Sequence, residues 1–134
     1  MSKDNFNVDV LVKHRVSVEQ MRDLLSCALE GGANHWADYK SGFSPSEEDL
    51  VEGPGGIWTG LSQYWFEHPQ YKLAVTDRVT GKVHEIDYSR LKLGIIDLAK
   101  KYPSHVVSIL NDDMDAEVGD AFLQCCILGD IYYG

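Results

Sequence analysis

The chain has 134 residues, 44% of them hydrophobic and 25% charged. That composition suits one folded domain and excludes wholesale disorder. Twelve Lys and Arg stand against 21 Asp and Glu, a formal charge of -9, which repels phosphate backbones and anionic membranes and argues against direct nucleic-acid binding.

No apolar run approaches the ~20 residues that a membrane span needs, so no membrane association is expected. Met1-Ser2-Lys3-Asp4-Asn5 is too polar for a signal peptide. The cysteine count is odd: Cys27, Cys125 and Cys126. A cytoplasmic protein with reduced, buried thiols is the simplest reading.

Taken in order, residues 7–13 alternate well enough to predict a strand. Ser17 and Gln20 form a capping box that opens a helix. Its apolar stripe is Met21, Leu24, Leu25, Ala28 and Leu29. Gly31-Gly32 is expected to end it, because glycine tolerates a left-handed cap.

Residues 41–56 read as an acidic, Gly/Ser-rich loop in which Glu47, Glu48, Asp49 and Glu52 form an exposed interaction surface. Ile57 to Phe66 is dense in large apolar groups and fits helix or strand equally. Tyr71 to Arg78 and Lys82 to Tyr88 predict a β-hairpin, with Gly81 at the position needing positive φ.

Asp87 or Ser89 caps the next helix, whose buried face is Leu91, Ile95, Leu98, Ala99 and Tyr102. A short helix over 104–110 and a turn at Asn111-Asp112-Asp113 follow. Asp115 caps the last helix, with Val118, Ala121, Phe122 and Cys125 on one face and Cys126 off it. The apolar tail Ile127 to Gly134 is expected to dock in the core or on another subunit. The fold class is therefore α+β: a single small domain over 1–134, with an antiparallel hairpin or short sheet packed against three or four helices.

Chemistry-bearing patterns are sparse. The histidines 14, 35, 68, 84 and 105 form no i, i+4 pair, and no Cys-x-x-Cys exists, so no metal is expected. Gly53-Pro54-Gly55-Gly56 lacks a phosphate-binding lysine, and no cofactor is implied. No catalytic residue is assigned. The cluster that stands out is Glu30, Asn34, His35, Trp36 and Tyr39, just past a helix end, with Trp58, Tyr64 and Trp65 available nearby. Aromatics beside amides and carboxylates suit a planar ligand or a protein partner. A second aromatic core is the plainer reading of the same residues.

Two stretches resemble a known group. Residues 23–36, Asp-Leu-Leu-Ser-Cys-Ala-Leu-Glu-Gly-Gly-Ala-Asn-His-Trp, are similar to the "LL-ALEGG-NYW" motif of small uncharacterised proteins of tailed bacteriophages and prophages. Residues 115–134 are similar to their "DAETGDVFLQ-ALFGEIVYG" ending. His35 stands where that group has tyrosine.

The resemblance implies a phage or prophage accessory protein. By analogy, such a protein binds a host protein or protein complex and inhibits it, as anti-CRISPR-like anti-defence inhibitors do. One alternative is an oligomer that sequesters a small nucleotide immune signal between Trp36 and Trp58, with Arg15, Arg22, Arg78 or Arg90 converging on it. Another is a small enzyme using His35 with Glu30. A homo-oligomer through the apolar C-terminus fits any of these.

Overall fold

The computed structural model describes residues 7–10, 12–42 and 62–134. The acidic residues Glu47, Glu48, Asp49 and Glu52, and Trp58, lie outside the described residues.

Helix α1 runs Val18–Cys27. The expected capping box is present: Gln20 N–H donates to Ser17 Oγ at 3.0 Å, and Ser17 N–H donates to Gln20 Oε1 at 2.9 Å. A π-helical turn, Ala28–Gly32, continues it. Met21, Leu24, Leu25, Ala28 and Leu29 are all buried, as the 3.6-residue spacing requires.

The helix stops at the two glycines for a different reason from the expected one. Gly31 has φ 176°, and neither glycine lies in the left-handed region. Gly32 instead lies against the carbonyl of Ala116, where a side chain would have no room.

Strand β1, Ala37–Ser41, is antiparallel to β2, Leu73–Asp77. β2 pairs in turn with β3, Val83–Ile86, giving the order β1-β2-β3. The β2–β3 connection is the expected hairpin, with Gly81 at φ 75°. Leu73, Val75 and Asp77 alternate inward on the central strand. β1 carried no strand signal, since its sequence Ala-Asp-Tyr-Lys-Ser buries only its first residue fully.

The strand expected over 7–13 does not form. Its described residues have no ladder partner among the described residues, and Val8, Val10 and Val12 are 71%, 74% and 66% exposed. A strand needs a neighbour to satisfy its backbone, and none of the described strands pairs with it.

Three helices complete the domain. Helix α2, Tyr88–Lys101, is capped by Asp87, which accepts from Arg90 N–H at 2.9 Å. Leu91 and Leu98 are buried on it, but Ala99 is exposed and Gly94 takes the buried position instead. Helix α3, Pro103–Leu110, follows. Helix α4, Ala116–Leu128, opens on Asp115, which accepts from Val118 N–H at 3.0 Å.

α4 is the centre of the molecule. It packs on α1, on the π-helical turn and most extensively on α2. Cys126, expected off the buried face, is buried as well, because α2 covers that side and Gly94 sits against its sulfur.

The approach of α4 to the π-helical turn gives the first prediction. A Cβ at Gly119 would lie 2.5 Å from Ala28 N and 2.6 Å from Cys27 C, both backbone atoms. Gly119→Ala should therefore cost about 1–3 kcal/mol or more. Gly31→Ala, which meets nothing within 4 Å, should be close to neutral. Urea unfolding midpoints check both.

Candidate functional site

The residues of the Glu30–Tyr39 cluster separate into a buried network and an exposed rim. Trp36 is 1% exposed. Its indole N–H donates to Asp120 Oδ1 at 2.7 Å, and His35 Nε2 lies 2.8 Å from Asp120 Oδ2. Asp120 also accepts from Gln124 Nε2 at 3.0 Å. One carboxylate on α4 thus ties down the loop after the π-helical turn.

The network continues into the tail. Gln124 is fully buried. Its Oε1 accepts from the N–H groups of Tyr132 and Tyr133, both at 2.8 Å, and its Nε2 donates to Tyr133 O at 2.9 Å. The Tyr133 ring packs on Trp36 at 5.3 Å between centroids, and its hydroxyl donates to Asp77 Oδ2 at 2.6 Å. Asp77, 1% exposed, also accepts from Val79 N–H at 2.8 Å in the hairpin turn. The apolar tail is docked on its own chain. A buried polar group is tolerable when every donor and acceptor is met, and Gln124 meets all of its own.

The other cluster members are placed as follows. Glu30 is exposed and accepts from Ser26 Oγ. Asn34 is exposed, and its carbonyl accepts from Arg78, which also pairs with Asp38 at 2.7 Å. Tyr39 is half exposed on β1, opposite Val75. Trp65 is buried in the main core. Burial first, and then the charge of Glu30, raise the pKa of the half-buried Tyr64 hydroxyl.

His35 therefore pairs with Asp120, while Glu30 takes Ser26. The four arginines have different surroundings: Arg22 pairs with Glu67 at 2.7 Å, Arg78 with Asp38, Arg15 lines a groove and Arg90 a hollow beside β3.

All three cysteines are free. Burial pushes the Cys126 thiol well up and the Cys125 thiol to about 11, and burial followed by nearby carboxylates raises Cys27. These shifts oppose thiolate formation, the opposite of what a nucleophilic cysteine needs. Among the described residues, no three His, Cys, Asp or Glu gather to hold a metal ion. No helix among them is long and apolar enough to cross a membrane.

One feature escaped the sequence reading. A groove of about 370 Å³ runs between the start of α1 and α2. Its floor is apolar, with Val16, Met21, Phe66, Ile95 and Ile96. Arg15, His14 and Lys92 lie at it, and among the described residues no carboxylate lines it. Phe66 stacks on Tyr88 at 6.0 Å, and Lys92 Nζ sits 4.7 Å from the Tyr88 ring centroid. The available signal was the i, i+4 spacing of Tyr88 and Lys92 together with Ile95-Ile96, a second apolar edge on α2.

No family model, no curated protein and no solved structure matches the chain.

Two predictions follow from the network. Gln124→Leu strands two tail amides, at roughly 1–3 kcal/mol for each group left without a partner, and should lower the urea midpoint accordingly. Burial pushes the Asp77 carboxyl up, but hydrogen bonds from Tyr133, Val79 and Thr80 outweigh it and hold its pKa below the ordinary 3.8. A lowered folded pKa gives stability that is whole above the unfolded value and is lost as pH falls through the folded one. Wild type should therefore lose stability on acidification below about pH 4, and Asp77→Asn should lose less over that window in stepped-pH urea titrations. Asp130, lowered by the Tyr102 hydroxyl, acts in the same window in both proteins.

Proposed function

We propose that the chain is a non-enzymatic accessory protein of the phage or prophage type, which binds a host protein inside the bacterial cell and inhibits it. The groove between α1 and α2 carries this reading. On a chain of formal charge -9, it pairs an apolar floor with Arg15, His14 and Lys92 and, among the described residues, has no carboxylate in its lining. That chemistry suits a protein segment with an apolar face and acidic flanks, which would gain burial from the floor and complementarity from the rim.

The position of the polar residues supports the same reading. Asp120, Gln124 and Asp77 direct their hydrogen-bonding capacity inward, to the loop, the tail and the hairpin turn. The stretches that carry the phage resemblance also meet one another, through Gly32 with Ala116 and Trp36 with Asp120. The nucleotide-sequestering alternative gains no support from Trp36, which is buried beneath Tyr133.

The test is affinity capture from bacterial lysate, with nuclease present, using wild type and groove variants. Ile96 is 47% exposed, so Ile96→Glu should leave the fold intact. Losing a contact of that size is worth about 1.5–3 kcal/mol, so capture should weaken at least about tenfold. Lys92→Glu should weaken it further at low salt. Capture that survives both changes, and survives neutralising Glu47, Glu48, Asp49 and Glu52, would remove the reading.

A further inference from the structure

Residues 7–13 have the alternation of a strand, and among the described residues no strand pairs with them. Val8, Val10 and Val12 alternate along the sequence and lie mostly in solvent. Exposed valines at period 2 are the pattern of a half-buried strand. The fold provides the missing neighbour only as a free edge.

That edge is β3. Asp77 N–H donates to Lys82 O at 2.9 Å, so the hydrogen-bonded pairs of the β2–β3 ladder are Asp77 with Lys82, Val75 with His84 and Leu73 with Ile86. The backbone groups of Val83 and Glu85 then face away from β2. Among the described residues they make no backbone hydrogen bond outside the ladder. The opposite edge is partly occupied: the Ala37 carbonyl of β1 accepts from Arg78 at 3.1 Å, and Ser41 has a partner of its own.

Space lies along the β3 edge. A hollow of about 550 Å³ is lined by His84, Lys82, Leu128, Tyr132 and Tyr133, with Asp77 and Thr80 at its turn end. Tyr132 is 69% exposed there, and His84 Nε2 is buried without a partner. A fourth strand placed on β3 with its valines on the His84 side would cover Leu128 and Tyr132. Asp9, Leu11 and Lys13 would then fall on the other side, beside Val83 and Glu85. The valines then lie on the covered face of an antiparallel sheet, with two charged residues and Leu11, next to the exposed Val83, on the wetter one. Seven extended residues reach about 23 Å, more than the four-residue β3 requires.

We infer that residues 7–13 of one copy add to the β3 edge of a second copy, giving a homodimer by reciprocal strand addition. The occupant is a second copy because this chain itself carries the unpaired strand, and it matches the unpaired edge in length and alternation. The inference does not depend on the groove: the dimer uses β3 and the tail, whereas the groove lies between α1 and α2.

The experiment is sedimentation equilibrium on the full chain. Wild type should associate to twice the 15.0 kDa chain mass. Val10→Asp breaks the arm and should weaken the dimer at least about tenfold. Val83→Pro removes an outward N–H without touching the β2 ladder, which an edge strand tolerates, and should do the same.

Neither variant should change the circular dichroism of the fold. Mixing the two should restore a weaker heterodimer, because one intact arm then meets one intact edge. Amide exchange at Val83 and Glu85 should be slow in wild type and fast in Val10→Asp. A wild type that remains at 15.0 kDa up to its solubility limit would overturn the inference. So would a dimer indifferent to both variants, or arm-dependent association with some other protein in place of a second copy.

Discussion

Everything in this domain depends on how closely α4 can lie against the turn that ends α1. Gly119 places its backbone on that of Cys27 and Ala28, and Gly32 answers with a close approach to Ala116. At ordinary helix spacing neither contact would exist, and Trp36 would not reach Asp120. A third close contact, Gly94 on Cys126, brings α2 in from the other side. Missing side chains, rather than large ones, set the geometry here. Native interiors are packed as densely as organic crystals, so there is little slack to absorb even one methyl group.

That contact also explains which parts of the molecule could be read from the sequence. The capping box at Ser17, the cap at Asp87, the hairpin around Gly81 and the stripe on α1 are local signals, with cause and effect a few residues apart. β1 was illegible because four of its five residues are not fully buried, so no alternation marks it. Ala99 and Gly94 exchanged roles because α2 rotates to bring a glycine, not an alanine, onto α4. Trp36 could be picked out as unusual, but its environment could not: Asp120 lies 84 residues further on. The groove was hidden for the same reason, since Met21, Phe66 and Ile95 come from three separate segments.

The surface divides by charge and by backbone state. The chain is acidic as a whole, yet the α1–α2 groove gathers cations around an apolar floor. The β3 edge instead offers unpaired amides and carbonyls beside exposed Val83 and Tyr132. One surface favours side-chain recognition and the other favours backbone recognition. Natural sheets normally blunt such edges. The presence on the same chain of an unpaired arm of matching alternation gives this edge a use.

The tail lock has a consequence for how the protein is made. Tyr133 and Gln124 close the structure by bonding back to Asp77 and to the tail amides. Translation proceeds at about 5–20 residues per second, and α1, the hairpin and α2 emerge well before their common packing partner. Until residues 116–133 clear the ribosome, the faces that α4 will cover have nothing to pack against. The nascent chain must hold Leu24, Leu25 and Leu98, on the helices that α4 packs against, as an unfinished apolar surface. Completion of this core therefore waits on the delivery of α4, whatever the order in which the other elements form.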